Sequence, residues 1–407
     1  MSACEGLENH RQLDSLLCLA ATFQESQRWL STHHEAAWER SLSSERWTAT
    51  IVSSRSEIAD LEPFVRSLSP EPGMLAPQFF LASLCENRWK PHVVVVSRNR
   101  RVSGLFYCKE VILGGVGTGI VYFDDALGAM VAASEEEAAS VIHAAVELLL
   151  KRMVGLRFLV PAGRLAPFWS VQSAADLDFR RADPHDHLQL PRTYTEFLAR
   201  LGPRTRRNFR YYRRRSELSG NEFVSDLAFA DFCSAARRLF PKAAYALNRD
   251  NFERCLAMIE TMPSQVLVGL RRKGGEWISL AGGWHVGDRT ILVAQLNDRA
   301  CGRDSISSVL RSSLIESLID RGTRELIFWA KSSSPLGGYC TSPEIFAVYI
   351  DSRSLPWRLF RHACVMVGKF APRNAGKWLD WVVLNEGAGV TQLWAQRPEA
   401  HLPEAPV

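Results

Sequence analysis

Two stretches in different halves of the chain carry the same pattern, and that repetition constrains the fold more than any other feature. Val93 to Gly104 (Val-Val-Val-Val-Ser-Arg-Asn-Arg-Arg-Val-Ser-Gly) and Val266 to Ser279 (Val-Leu-Val-Gly-Leu-Arg-Arg-Lys-Gly-Gly-Glu-Trp-Ile-Ser) each read as a strand, a basic turn and a returning strand. The elements downstream of the two hairpins also match. After the first hairpin come a strand at Ile120 to Phe123, a helix opened by Ser134 and a strand at Leu156 to Val160. In that helix Glu135, Glu136 and Glu137 sit at the positive end, and Val141, Ala144, Ala145, Leu148 and Leu149 recur at helical spacing. After the second hairpin, Arg289 to Leu296 continues the meander, Ser305 to Arg321 is helical and Glu325 to Ala330 is a strand. A duplicated α+β unit is the simplest account: an antiparallel meander, a helix, then a strand. Gly114, Gly115, Gly117 and Gly119 precede a strand. A phosphate-cradling loop runs instead into a helix N-terminus, so these read as turn glycines.

A length of 407 residues fits two or three domains. Hydrophobic content of 46% and charged content of 23% fit a globular chain with ample core. Nine cysteines are scattered without a C-x-x-C pair, which argues for a reducing compartment and thiols used as small apolar residues. No run reaches the roughly 18 apolar residues of a membrane span, because Lys151, Arg152 and Arg157 break Val146 to Val160. Glu5, Glu8 and Asp14 precede Leu16 to Ala21, where a signal peptide wants positive charge. A cytoplasmic protein without stable membrane insertion is expected. His33-His34-Glu35 has no third ligand at helical spacing, so no metal site is expected.

The net charge of +5 is smaller than the local excess in one helix. Gly202-Pro203 opens it, and it carries Arg204, Arg206, Arg207, Arg210, Arg213, Arg214 and Arg215. On a helix, Phe209 and Tyr212 share a face and pack inward, while Arg206, Arg210, Arg213 and Arg214 line another. Three readings stay open for the basic face: a solvated helix paired with acidic neighbours, a wall for an anionic small molecule or glycan, and a nucleic-acid surface, which ranks last. The expected organisation is a first unit over 1–185, a second over 186–350 with the arginine-rich helix at 203–216, and a helical extension over 351–407. Trp357, Arg358, Phe360, Arg361 and Lys369 make that extension basic and amphipathic.

Leu188-Gln-Leu-Pro, Tyr194-Thr-Glu-Phe-Leu-Ala-Arg-Leu and Thr205-Arg-Arg-Asn-Phe-Arg210 resemble the CelD/BcsL-type acetyltransferases of bacterial exopolysaccharide biosynthesis, members of the GNAT superfamily related to FemAB-type transferases. The resemblance covers roughly residues 25–350. It implies two tandem GNAT-like units, each a mostly antiparallel central sheet flanked by helices, and acyl transfer from acetyl-CoA or a longer acyl-CoA to an amine or hydroxyl. The acceptor class would be a small molecule or glycan precursor. Pantetheine would run along Ile291 to Leu296, and the pyrophosphate would meet Asn297 to Ser308. The implied cofactor-binding set is Leu296, Asn297, Arg299, Gly302, Arg303, Ser305, Ser307 and Ser308. Of the Arg/Gln-x-x-Gly-x-Gly/Ala loop, Arg299 and Gly302 fit. Helix N-termini attract phosphate through free N–H groups and partial positive charge.

Catalytic candidates are Gln295, His285 and Tyr339, the last where GNAT enzymes often hold the acid that protonates the leaving thiolate. Each has a plainer reading: a structural strand residue for Gln295, a hairpin-end histidine for His285, and no special role for Tyr339. Arg206, Asn208 and Arg210 are candidates for acceptor binding in the cleft between units. The first unit is expected to have lost cofactor binding, because its connection from Gly114 to Asp125 lacks a basic loop. Two rivals remain: a FemAB-like aminoacyl transferase using aminoacyl-tRNA, and a non-catalytic anion-binding or nucleic-acid-binding protein on degenerate GNAT units.

Overall fold

The computed structural model describes residues 47–352 except 70–72, 85–87, 114–115, 125–129, 166–167, 169–174, 183–184, 245–248 and 330–334. The expectations for His33-His34-Glu35 and for the basic extension beyond 352 lie outside the described residues.

Strands β1 (Trp47–Val52), β2 (Trp89–Arg98), β3 (Arg101–Leu113), β4 (Val116–Asp124), β5 (Met130–Ala132), β6 (Gly155–Pro161), β7 (Ala175–Ala182) and β14 (Ile345–Ser352) form an eight-stranded sheet. Its order is β1-β2-β3-β4-β6-β14-β7, with β5 beside β3. Side chains alternate along the middle of β2 and β3, between the irregularities at Val96–Ser97 and Glu110–Ile112. Val94, Val96, Phe106 and Cys108 pack under helix α4 (Glu135–Arg152), while Val93, Leu105 and Tyr107 face the other way. That second face is covered by α1 (Arg55–Ala59), α2 (Glu62–Leu68) and α3 (Pro77–Ala82). The helical run breaks at Asp60–Leu61, and Pro63 in the first turn of α2 starts a new helix.

The second sheet has six strands in the order β8-β13-β12-β11-β10-β9. These are β8 (Asp186–Gln189), β9 (Glu222–Val224), β10 (Gln265–Arg271), β11 (Trp277–Val286), β12 (Arg289–Asn297) and β13 (Glu325–Phe328). One face packs on α5 (Tyr194–Arg200), α6 (Pro203–Leu218) and α9 (Ile306–Asp320); the other packs on α7 (Phe229–Leu239) and α8 (Arg249–Glu260). The two sheets share one plan. In each, an antiparallel meander leads through a helix to a strand parallel to the meander's last member, β4 with β6 and β12 with β13. The α+β duplication expected from sequence is therefore present.

Helix α3 and strand β14 both tie the units together. In α3, Phe80 enters the first core while its neighbour Phe79 packs edge-on against Trp284 of β11, with ring centroids 5.3 Å apart. Strand β14, expected in the second unit, returns to the first sheet and inserts between β6 and β7. A buried ion pair marks its place: Arg157 Nη2 donates to Asp351 Oδ1 at 2.7 Å, and Arg157 also reaches the carbonyls of Leu156 and Ile350. Buried pairs of this kind fix position more than they add stability, but removing one partner strands the other charge.

Asp351→Ala should lower unfolding stability by about 3–5 kcal/mol in denaturant titration, because Arg157 would stay buried without its partner. A second expectation concerns pH. His92 is buried, with Nε2 2.9 Å from Glu110 Oε2 and Nδ1 2.6 Å from Ser53 Oγ. Burial lowers its pKa, against the opposing pull of Glu110. The unfolded chain therefore takes up this proton first, and stability should fall as pH drops below about 6.5. His92→Gln should flatten that dependence in pH-stepped thermal melts.

Candidate active site

The site is created where two strands part. Among the described residues, β12 pairs with β13 from Arg289–Glu325 to Leu292–Phe328, and the last bond is Trp329 N–H to the Leu292 carbonyl at 3.0 Å. β12 continues to Asn297, whereas β13 ends at Phe328. A bulge coincides with this divergence. β11 Gly282 faces Ala294 and Gly283 faces Leu292, so Val293 is the extra residue and the strand twists away. Gly283 is required there, because a Cβ would overlap the Ile291 carbonyl. Farther along, Ala244 N–H donates to the Asn297 carbonyl at 2.8 Å, and Ala243 bridges Asp298. The opening thus has a floor at Leu292 and a rim at Asn297.

Beyond the rim, Asp298 Oδ1 accepts Ala300 N–H at 2.8 Å, and residues Arg299–Asp304 wind into a tight turn. Ser305 takes a left-handed conformation (φ 49°) and α9 begins. No side chain caps α9 and its first turn has no acidic residue. The equivalent helix of the first unit is the opposite: Ser134 Oγ accepts Glu137 N–H, and three glutamates fill the first turn. An anion is welcome at the N-terminus of α9 and repelled at that of α4.

The structure distributes the sequence candidates unevenly. Gln295, Asn297 and Ser307 come together. Gln295 Nε2 donates to Ser307 Oγ (3.0 Å) and Asn297 Oδ1 (3.2 Å), and Arg311 Nε donates to Gln295 Oε1 (2.9 Å). Ser279 Oγ donates to Asn297 Oδ1 at 2.7 Å. Gln295 therefore splints β12 to α9, with its amide fully engaged. The Leu296 side chain is core, leaving only its backbone for a ligand. Arg299 Nη2 donates to the Ala243 carbonyl at 3.2 Å, and Gly302 is exposed. Ser305 and Ser308 stand at the start of α9, and the Arg303 side chain lies outside what is described.

His285 lies apart. It is the penultimate residue of β11, opposite Thr290, whose Oγ1 is 2.7 Å from its Nδ1, five residues of β12 away from Gln295. Burial, and then Arg321, lower its pKa. Tyr339 contacts α6: its oxygen accepts Gly202 N–H at 2.8 Å and its hydroxyl points to Thr205 Oγ1 at 3.5 Å. Those two bonds, Thr205 foremost, lower its pKa. Arg206 and Arg210 are one turn apart, while Asn208 projects from another side. Cys301 is buried against Arg272, whose guanidinium is 3.2 Å from Sγ, and burial raises the thiol pKa, away from a nucleophile's range.

Three features were not legible in sequence. Asp304 sits at the mouth of α9 and pairs with Arg215 at 2.9 Å. His185, before β8, is 3% exposed; its Nδ1 lies 2.8 Å from the Trp329 carbonyl, so that nitrogen carries the proton and donates it. Among the described residues its Nε2 has no partner, and neither has the indole N–H of fully buried Trp284. Burial lowers the His185 pKa to about 4, so the ring is neutral at ordinary pH. A lone histidine before a short strand gives no sequence signal of this.

No family model and no curated protein sequence matches the chain. Solved structures do resemble it. The crystal structure of FemX matches with a TM-score of 0.50 at 11% identity, over 73% of this chain and 96% of that one. L-PGS from Bacillus licheniformis gives 0.48 at 12% identity, over 74% and 94%. A tandem GNAT protein from the clavulanic acid biosynthesis pathway gives 0.42 at 11% identity, over 76% and 99%. At such identities the likeness is one of fold, and the fold is that of two tandem GNAT-like units.

Proposed function

We propose that this chain transfers an acyl group from an acyl-CoA to a small-molecule or glycan acceptor, as the resemblance to CelD/BcsL-type acetyltransferases implies. The observation that carries this reading is the opening between β12 and β13 that leads to the uncapped N-terminus of α9. A pantetheine arm is strand-like and rich in amides, so the unpaired edge from Val293 to Gln295 suits it. The pyrophosphate would then meet the N–H groups of α9 with Ser305, Ser307, Ser308 and Arg303 around it. The first unit, with its acidic and capped α4, would take no CoA. Catalysis here is positioning: the acceptor is held against the thioester carbonyl, loses a proton, and the thiolate departs. Free thiols at Cys108, Cys233, Cys255, Cys301 and Cys340 fit a cytoplasmic setting.

Asp304 makes this reading testable in two directions. Calorimetric titration with acetyl-CoA and longer acyl-CoAs should give micromolar affinity. Ser305→Glu should weaken it at least tenfold, about 1.4 kcal/mol, by placing a carboxylate at the α9 terminus. Asp304→Asn should tighten it several-fold. If Asp304→Asn leaves affinity unchanged, the pyrophosphate is not on this loop.

One observation favours a second donor, aminoacyl-tRNA. On α6, Arg204, Arg207, Arg210 and Arg214 are exposed and have no acidic partner among the described residues, and Tyr211 is 57% exposed beside them. Such a stripe suits a phosphate backbone with a stacked base. Absence of acyl-CoA binding, together with tRNA affinity that falls steeply with salt and drops in Arg207→Glu and Arg214→Glu, would replace the CoA donor with tRNA. Salt-steep RNA binding without any transfer would leave a binding protein.

A further inference from the structure

Helix α6 carries apolar side chains on the side where it should be most polar. Arg204, Arg207, Tyr211, Arg214 and Leu218 follow one another in steps of three, four, three and four residues, so they form one row along the helix. Phe209 and Ser216, buried to 1% and 8% exposure, mark the opposite side. All five residues of the row are exposed, Tyr211 at 57% and Leu218 at 80%. Among the described residues, Val286 is the one further large apolar side chain that is exposed, at 39%. Arg210 flanks the row and is exposed as well. The single carboxylate of α6, Glu217, is engaged by Arg213, on the flank of the helix. An isolated surface leucine is ordinary. Two apolar side chains set two turns apart in a row of cations, on a helix whose other side is fixed in the core, are not.

We propose that the outer face of α6 is a docking surface for an anionic lipid bilayer, with the helix lying in the headgroup layer. Such a layer answers every member of the row. Lipid phosphates pair with the guanidinium groups, the interfacial zone takes the amphipathic Tyr211 ring, and the upper acyl carbons take Leu218. A nucleic-acid backbone would use the arginines and a base would stack on Tyr211, but Leu218 would stay in water. Leu218 therefore separates this reading from that of tRNA, which claims the same arginines. The association is peripheral and reversible. No described helix is long and apolar enough to cross a membrane, and one short row supplies only part of the two signals that stable anchoring takes. The docking does not depend on which donor the second unit uses.

The test is flotation of the full chain with two kinds of vesicle, one of equal parts phosphatidylcholine and phosphatidylglycerol, the other of phosphatidylcholine alone. The wild type should float with the first and not with the second, and rising salt should weaken the binding. An arginine at an anionic surface contributes about fivefold to partitioning, so Arg207→Glu with Arg214→Glu should lower it by at least about 25-fold. Leu218→Ser leaves the charge unchanged and should lower it about fivefold by removing apolar burial. All three positions are exposed, so thermal melts should match the wild type and show that the fold is kept. Failure of the wild type to float with the anionic vesicles would overturn the proposal. Wild-type flotation of every variant would overturn it too, by placing the contact elsewhere on the chain. So would loss in the charge variant with none in Leu218→Ser, since the contact would then be purely ionic. In that case tRNA binding that likewise ignores Leu218→Ser would assign the face to nucleic acid.

Discussion

Everything that makes the second unit a candidate enzyme depends on β12 leaving β13 after four paired residues. A parallel pair normally keeps its bonds for its whole length, since each unmade bond exposes a backbone donor or acceptor. Here Val293 bulges, Gly283 lets the Ile291 carbonyl come close, and the twist carries β12 away. The backbone groups freed in this way form the edge to which the acyl-CoA reading assigns the pantetheine arm. Ala244 satisfies one at Asn297, and Gln295 ties the strand to α9, so the gap stays open without loosening the sheet. In the first unit, by contrast, β4 stays paired with β6 to its last residue.

The two units therefore share a plan but not a chemistry, and the difference lies at one helix end in each. At α4 the carboxylates of Glu135, Glu136 and Glu137 and the Ser134 hydroxyl already answer the helix dipole. At α9 no cap and no first-turn carboxylate answers it. The first unit also has a mechanical part in the second. Its helix α3 supplies Phe79 to the second core, and its sheet takes up β14. Holding β14 between β6 and β7 anchors the chain on both sides of the loop after β13.

Local rules were legible, and distant ones were not. Ser134 caps its helix as its spacing with the glutamates implies, and the buried Phe209 and inward Tyr212 follow from helical periodicity. The hairpins and the parallel helix-linked strands follow from period and turn residues. The return of β14 was not readable, because Phe346 to Ile350 alternates as a strand of either sheet would and only the buried Arg157–Asp351 pair decides its place. Tyr339 was expected near the leaving thiolate, yet its bonds are to Gly202 and Thr205 at the start of α6. Gln295 was named for chemistry and its amide is used in holding α9. Sequence spacing finds the strand a residue lies on, and side-chain bonding across elements decides what that residue is free to do.

The arginines of α6 show the same division within one helix. Arg213 reaches Glu316 and Glu217, and Arg215 reaches Asp304. Both residues bind α6 to the neighbourhood of α9, and Arg215 also offsets the Asp304 carboxylate at the start of α9. Exposed pairs contribute little to stability, about 0–1 kcal/mol each. Their consequence is geometric: they hold the inward face of α6, with Phe209, on the second core. Arg204, Arg207, Arg210 and Arg214 are left facing solvent on the other side. Packing such a row of like charges on one helix costs self-repulsion that no acidic group among the described residues offsets. A polyanion or an anionic donor would offset it.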